Sequence, residues 1–121
     1  MNYDDDNIFA KILRGEIPCD KIYEDEFIVS FYDINPQKKI HALVIPKGKY
    51  IDLDDFNINA SDKEIIGLMK GITTVSKKLG ISSIDGKGYR ALANISDYGG
   101  QEVPHLHFHL FGGEKIGKMV S

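Results

Sequence analysis

The spacing of apolar residues changes along the chain between two periods, and each period predicts a different element. Between residues 61 and 79, apolar side chains recur at steps of three and four, which is the spacing of one face of a helix. Between residues 105 and 110 they occupy every second position, which is the period of a strand. Over the whole chain the pattern predicts helices at 7–14 and 61–79, and strands at 21–25, 27–34, 41–46, 89–95 and 103–111.

The order of these elements predicts the fold class. Two helices and five strands in this order are typical of an α+β fold with an antiparallel sheet, and the almost entirely apolar strand 41–46 is expected at its centre. A capping box begins the long helix at Ser61, and Gly80 ends it. Gly67 and Gly71 either let another segment approach this helix closely or are merely tolerated in it. The open edges of such a sheet can be covered by a second copy of the chain.

Composition and charge limit the range of functions. The 121 residues are 42% hydrophobic and 27% charged, which is typical of one globular domain spanning 1–121. A net charge of −3 offers no general attraction for nucleic acid or an anionic membrane, and no apolar run approaches the ~20 residues that span a bilayer. Cys19 is the only cysteine, so no internal disulfide is possible, and we expect an inert thiol in a reducing compartment. The acidic start of the chain is unlike a secretory leader, so we expect a cytoplasmic protein.

Three of the four histidines, His105, His107 and His109, stand at alternate positions near the end of the chain. A strand would direct all three imidazoles to one face and the apolar residues between them into the core. The outer two would lie roughly 13 Å apart, so a metal ion would need two of them plus outside ligands. Two neighbouring imidazoles can instead flank one phosphate, one attacking phosphorus and the other protonating the leaving group. A glycine loop at 99–101 is expected to direct backbone N–H groups toward that phosphate.

The run from His105 to Phe111 has the pattern His-φ-His-φ-His-φ-φ, where φ is apolar. This pattern resembles the motif of the histidine-triad (HIT) family of nucleotide hydrolases and transferases. The similarity covers nearly the whole chain and extends to the Hint branch, with Glu102 and the tail at 117–119 more similar to bacterial members than to animal ones. The other segments that resemble this branch are 8–12, 14–18, 31–37, 41–46, 99–103 and 111–113.

The resemblance implies a fold, an assembly and an activity. The fold would be a five-stranded antiparallel sheet with two helices, and two copies would join their sheets into one ten-stranded sheet. The activity would be hydrolysis of the P–N bond of purine nucleoside 5′-phosphoramidates, such as adenosine 5′-monophosphoramidate or adenylated lysine, through a nucleotidyl-histidine intermediate. No metal or other cofactor is expected, and the expected partners are a purine nucleotide substrate and a second copy of the chain.

The resemblance also implies roles for individual residues. His107 matches the nucleophile, and His109 matches the group that contacts the phosphate and helps to protonate the leaving amine. His105 and His41 match histidines that support the nucleophile, and Asp33 matches a carboxylate that accepts hydrogen bonds from the ribose hydroxyls. The walls of the base pocket would be Ile8, Phe9, Ile12, Phe31 and Ile34. The phosphate and leaving group would be contacted by Asn94, Gln101, Glu102 and Val103, beside Gly100 of the glycine loop.

Two residues depart from the family pattern. Glu102 places a carboxylate where animal relatives usually have serine, which suggests that it faces solvent or a cationic, lysine-type leaving group. Pro104 replaces a residue that is commonly tyrosine and removes a backbone donor at the start of the predicted strand. Three alternative functions stay open: a nucleotide-binding regulator with incidental turnover, a zinc protein, and a dinucleoside polyphosphate hydrolase.

Overall fold

The computed structural model describes residues 2–119, and its sheet confirms the predicted α+β fold. Five antiparallel strands lie in the order β1-β2-β3-β5-β4, so the apolar strand β3 is central, as predicted. The elements along the chain are α1 (Ile8–Leu13), β1 (Lys21–Glu24), β2 (Ile28–Tyr32), β3 (Ile40–Pro46), α2 (Leu53–Asn59), α3 (Asp62–Lys78), β4 (Arg90–Leu92) and β5 (Phe108–Gly112).

The two faces of the sheet carry separate cores. Ala42 and Val44 of β3 face α3, where they pack with Leu110 of β5. Leu43 and Ile45 point to the opposite face and pack with Phe9 of α1. Because side chains alternate along a strand, His41 lies on the same face as Leu43, which is the face covered by α1. The helix α3 therefore covers one face of the sheet, and a functional site can form on the face that carries His41 and α1.

The helix α3 lies close to the sheet because its inner surface lacks side chains at two positions. A Cβ atom added to Gly67 would lie 2.5 Å from the ring of Phe27, and one added to Gly71 would overlap the side chain of Ile28. The two glycines therefore let the side chains of Phe27 and Ile28 pack directly against the backbone of α3. The capping box at Ser61 is present as predicted.

The strand predicted at 89–95 is shorter than expected, since β4 spans only Arg90–Leu92, and two further elements differ from the prediction. The helix α2 was not predicted, because it has one buried apolar residue, Phe56, among acidic and amide residues of low helix propensity. The predicted strand 103–111 begins only at Phe108. Pro104 has no N–H, and the next two backbone N–H groups bond to Val103 and Tyr50 outside the ladder. His105 and His107 therefore lie in an irregular segment that leads into β5.

Among the helices of residues 2–119, none combines the length and the apolar character that crossing a bilayer requires.

Candidate active site

A cavity of about 990 Å³ opens on the face of the sheet that carries α1. Its walls come from α1, from the site-facing side chains of β2, β3 and β5, and from the loop at 94–103. Every predicted site residue lines this cavity except His105 and Gln101. The predicted residues in its wall are Ile8, Phe9, Ile12, Phe31, Asp33, Ile34, His41, Asn94, Gly100, Glu102, Val103, His107 and His109.

His107 is oriented by the backbone of the residue two positions before it. Its Nδ1 lies 2.7 Å from the carbonyl oxygen of His105. Because a carbonyl only accepts, Nδ1 carries the proton, and in the neutral ring Nε2 keeps its lone pair. The ring of Phe9 meets the ring of His107 edge-on, with the centroids 4.9 Å apart. His107 thus presents an unprotonated Nε2 while its ring is fixed by one hydrogen bond and one aromatic contact.

His105 lies behind the cavity and is fully buried. Its Nε2 donates to the carbonyl oxygen of Pro46 over 2.9 Å, so its Nδ1 is left as an acceptor. The hydroxyl of Tyr3 lies 2.6 Å from that Nδ1 and donates to it. Both ring nitrogens are therefore satisfied, and the side chain of His105 does not reach the cavity. Its role toward the site is carried by its backbone carbonyl.

His41, His109 and Asp33 form a second group beside His107. The backbone N–H of Gln37 donates to Nδ1 of His41 over 3.1 Å, so the proton of His41 resides on Nε2. This Nε2 lies 2.9 Å from Nδ1 of His109 and 3.4 Å from Oδ2 of Asp33. His109 therefore accepts through Nδ1 and carries its own proton on Nε2. The ring centroids of His107 and His109 are 5.1 Å apart, so a ring with an unprotonated Nε2 lies next to a ring with a protonated Nε2.

Burial keeps these imidazoles neutral. Burial lowers the pKa of His41 and His107, and it lowers the pKa of His105 and His109 to about 4. For His107, the hydrogen bond to His105 and the charges of Asp33 and Glu102 oppose this shift. At pH 7 all four rings are uncharged, which is the state that a nucleophilic imidazole requires.

The potential metal ligands Asp33, His41 and His109 place their donor atoms within 4.8 Å of one another. A metal ion on Nε2 of His41 would require the proton on Nδ1, since a ligating imidazole normally donates through its other nitrogen. That Nδ1 faces the N–H of Gln37, so two donors would then oppose each other. The arrangement of partners therefore suits a hydrogen-bonded relay better than a metal site.

The loop before β5 uses its hydrogen bonds differently from the prediction. The N–H groups of Gly100 and Gln101 bond to Asp97 and Ser96, so they close the turn and do not point at a phosphate. The side chain of Gln101 is also engaged, because its Nε2 donates to the carbonyls of Ile51 and Val103 and its Oε1 accepts from Ser96 N–H. Gln101 thus ties the loop to its neighbours, and its contact with the phosphate or leaving group stays a prediction.

The N–H groups available to an anion lie one or two residues further on. Within residues 2–119, the backbone N–H groups of Glu102 and Val103 have no protein acceptor, and both residues line the cavity. The charged residues in the cavity wall are Asp20, Asp33 and Glu102, and no lysine or arginine of the described chain joins them. A phosphate in this cavity would be held by neutral donors, and a cationic group on the ligand would be favoured.

Two residues that orient the site were missed by the sequence analysis. Tyr3 belongs to an acidic N-terminal segment with no periodic pattern, and Gln37 lies in a polar turn between strands. Tyr3 lies 102 residues from His105, and Gln37 lies 4 residues from His41. No motif or periodic pattern in the sequence predicts either contact. The cavity wall also includes Cys19, and burial raises the pKa of its thiol, in keeping with the expected lack of reactivity.

The geometry defines an α+β protein in which three neutral imidazoles line one cavity on a face of the sheet. The chain matches the model of the HIT domain family over residues 14–116, and it belongs to the HIT family. An uncharacterized HIT-like protein of Azospirillum brasilense is 49% identical over 119 residues, which covers 98% of this chain and 95% of that protein.

Two further relatives connect the family to an activity. A purine nucleoside phosphoramidase of Escherichia coli strain K12 is 38% identical over 117 residues, which covers 97% of this chain and 95% of that protein. The solved structure of a HIT family hydrolase from Clostridium thermocellum matches with a TM-score of 0.85 at 35% identity, covering 98% of this chain and 99% of that one.

Proposed function

We propose that this protein hydrolyses the P–N bond of purine nucleoside 5′-phosphoramidates, of the adenosine 5′-monophosphoramidate and adenylated-lysine type. One observation carries the proposal: the carbonyl of His105 holds the proton of His107 on Nδ1, so Nε2 is free to attack beside the protonated Nε2 of His109. The name of the Escherichia coli relative supports the reaction class. Neither step of the proposed chemistry needs a metal or other cofactor.

The reaction would proceed in two displacements at phosphorus. Nε2 of His107 attacks the phosphorus, a P–N bond to His107 forms, and the P–N bond to the leaving amine breaks. His109 gives its Nε2 proton to the departing nitrogen, because an amine leaves only when protonated. Water then attacks the nucleotidyl-histidine, its proton passes to His109, and the nucleoside monophosphate leaves His107 unchanged. The hydrogen bond from His41 to Nδ1 of His109 would stabilise the orientation of the ring through both transfers.

The same cavity offers the remaining contacts that a nucleotide needs. Its apolar wall would hold the purine base, with Phe9 and Phe31 meeting edge-on at 5.6 Å. Asp33 would accept from the ribose hydroxyls, although its Oδ1 already accepts from the N–H of Asn35. The free N–H groups of Glu102 and Val103 would bind the phosphate oxygens.

A homodimer is part of this proposal. Edge strand β1 carries the ion-paired residues Lys21 and Glu24, and such charged edges resist pairing. The other edge strand, β4, would therefore be the one that joins two five-stranded sheets into ten strands. The cytoplasmic location expected from the sequence stays a prediction.

The test is hydrolysis of an adenosine phosphoramidate by wild type, His107→Ala and His107→Asn. Loss of the nucleophile should lower kcat by at least about a thousandfold, the scale of a covalent step, with the Kd of AMP in calorimetry within about threefold of wild type. Comparable turnover by either variant would contradict the proposal.

The same assay separates the alternatives. Tight AMP binding without turnover of any phosphoramidate by wild type would indicate a regulator. Stoichiometric zinc together with activity lost to a chelator would indicate a zinc protein. Faster cleavage of a dinucleoside polyphosphate than of any phosphoramidate would indicate a dinucleoside polyphosphate hydrolase.

A further inference from the structure

The N-terminal segment before α1 reaches the rear of the site. The hydroxyl of Tyr3 donates to Nδ1 of His105 over 2.6 Å, and the two rings meet edge-on with centroids 5.6 Å apart. Asp5 anchors the segment, because its carboxylate pairs with Lys49 at 2.7 Å and its carbonyl accepts from Arg14. This segment is therefore held against the protein at two points, Tyr3 and Asp5.

His105 connects this segment to the nucleophile without touching the cavity. Its ring is fixed at both nitrogens, by Tyr3 at Nδ1 and by Pro46 at Nε2, and its carbonyl accepts from His107. With Nδ1 accepting from a hydroxyl, the proton of His105 is confined to Nε2, where the Pro46 carbonyl needs it. Two hydrogen bonds, one to the ring of His105 and one from His107 to its carbonyl, thus connect the phenol to the nucleophile, and the bond to Pro46 fixes the ring between them.

We infer that Tyr3 is a positioning residue that acts through His105 to keep His107 in the tautomer with a free Nε2. This inference rests on the proposed function for its kinetic consequence, but the hydrogen-bond chain itself does not depend on that function. Neither Tyr3 nor His105 lines the cavity, so their effect should fall on the reactivity of His107 rather than on nucleotide binding.

Loss of the hydroxyl would leave a buried acceptor without a partner. His105 could recover a protein partner for Nδ1 only by rotating its ring, and rotation breaks the bond to Pro46. The segment that presents the His105 carbonyl would then shift, and the Nδ1 proton of His107 would no longer be held in one place. Some of the His107 rings would carry the proton on Nε2 and could not attack.

The kinetic experiment compares Tyr3→Phe with the matched variant Tyr23→Phe. Tyr23 also loses one phenol hydrogen bond, to Asp25 over 3.0 Å, but it lies on β1 away from the cavity. For Tyr3→Phe we expect kcat to fall about fivefold, the scale of one neutral hydrogen bond, with the Kd of AMP within twofold of wild type. Tyr23→Phe should leave both values unchanged. An equal effect of the two variants on kcat, or a weaker AMP complex that accounts for the loss, would overturn the inference.

A second measurement reads the tautomers directly. Nitrogen-15 spectra of the histidine side chains should show His105 protonated on Nε2 and His107 on Nδ1 in the wild type. In Tyr3→Phe the signals of both residues should move, with His107 gaining Nε2-protonated character, while those of His41 stay in place. Unchanged signals for His105 and His107 would refute the positioning role. If the wild type hydrolyses no phosphoramidate, the proposed function fails, and this measurement alone decides the role of Tyr3.

Discussion

At the scale of single residues, the site depends on where each imidazole keeps its proton. His107 and His41 have opposite tautomers although burial lowers the pKa of both rings. The difference comes from one backbone partner each: a carbonyl that accepts from His107, and an N–H that donates to His41. Alternation predicted three imidazoles on one face of a strand, whereas only His107 and His109 of the three line the cavity and His105 lies behind it. His41 was expected from the family resemblance alone. The sequence could not predict the tautomers, because those depend on which groups the rings meet in the folded chain: the carbonyls of His105 and Pro46, the N–H of Gln37 and the hydroxyl of Tyr3.

A residue-scale prediction concerns Glu102, which lines the cavity without a cationic partner in its wall. In Glu102→Gln, kcat/KM for an adenylated lysine should fall about two- to fivefold, the scale of one exposed charge pair, and kcat/KM for a neutral amine should not fall. Asp97→Asn is the matched control, since it removes a carboxylate from the same loop outside the cavity.

Competition between the two substrates at low and high salt measures this preference. The advantage of the lysine substrate should shrink as salt rises, because exposed charges are screened. A ratio that stays the same in Glu102→Gln would show that Glu102 faces solvent only.

At the scale of elements, prediction succeeded where local signals agreed and failed where tertiary contacts decided. The helix α3 has a capping box, a regular apolar face and a terminal Gly80 with φ of 74°, so its bounds were predicted within one residue. The start of β5 was predicted too early, because the alternation of apolar residues begins before the strand does. Pro104 has no N–H to donate, and the N–H of Leu106 bonds to Tyr50 instead of to a neighbouring strand. The short helix α2 has an N-cap at Asp52 and a core contact through Phe56, but no repeating apolar face from which it could be predicted.

An element-scale prediction concerns the contact between α3 and β2. Alanine in the middle of a helix is ordinarily more stable than glycine by about 1 kcal/mol. In Gly71→Ala, however, the new methyl group would overlap the side chain of Ile28, so we expect a loss of about 1–3 kcal/mol in the free energy of unfolding. Urea denaturation measures the change, and the exposed neighbouring variant Lys70→Ala should stay within about 0.5 kcal/mol of wild type. A more stable Gly71→Ala protein would show that the helix is not pressed against the sheet.

At the scale of the whole molecule, the sheet separates support from chemistry. The helix α3 and its core occupy one face, and the cavity with His41, His107 and His109 occupies the other, with His105 buried behind it near Phe9. Gathering four imidazoles in and behind this cavity has an energetic consequence, since each must be held uncharged in the folded state although it can be protonated freely in the unfolded chain. The stability of the molecule should therefore depend on the pH range in which the unfolded histidines take up protons.

His105 allows the sign of this dependence to be derived. Its pKa is lowered by burial to about 4 in the folded protein, against 6.5 for an unperturbed histidine. Between these two pH values the unfolded chain binds more protons than the folded one, so stability is complete above about pH 6.5 and is lost as the pH falls toward 4. The contribution of this single residue amounts to about 3 kcal/mol across the window. Urea denaturation at fixed protein concentration, at pH 7, 6, 5 and 4.5, should show the free energy of unfolding decreasing throughout, and His105→Gln should show a shallower decrease. A free energy that stays constant from pH 7 to 4.5 would mean that His105 is protonated in the folded protein, which its donated bond to Pro46 and accepted bond from Tyr3 do not allow.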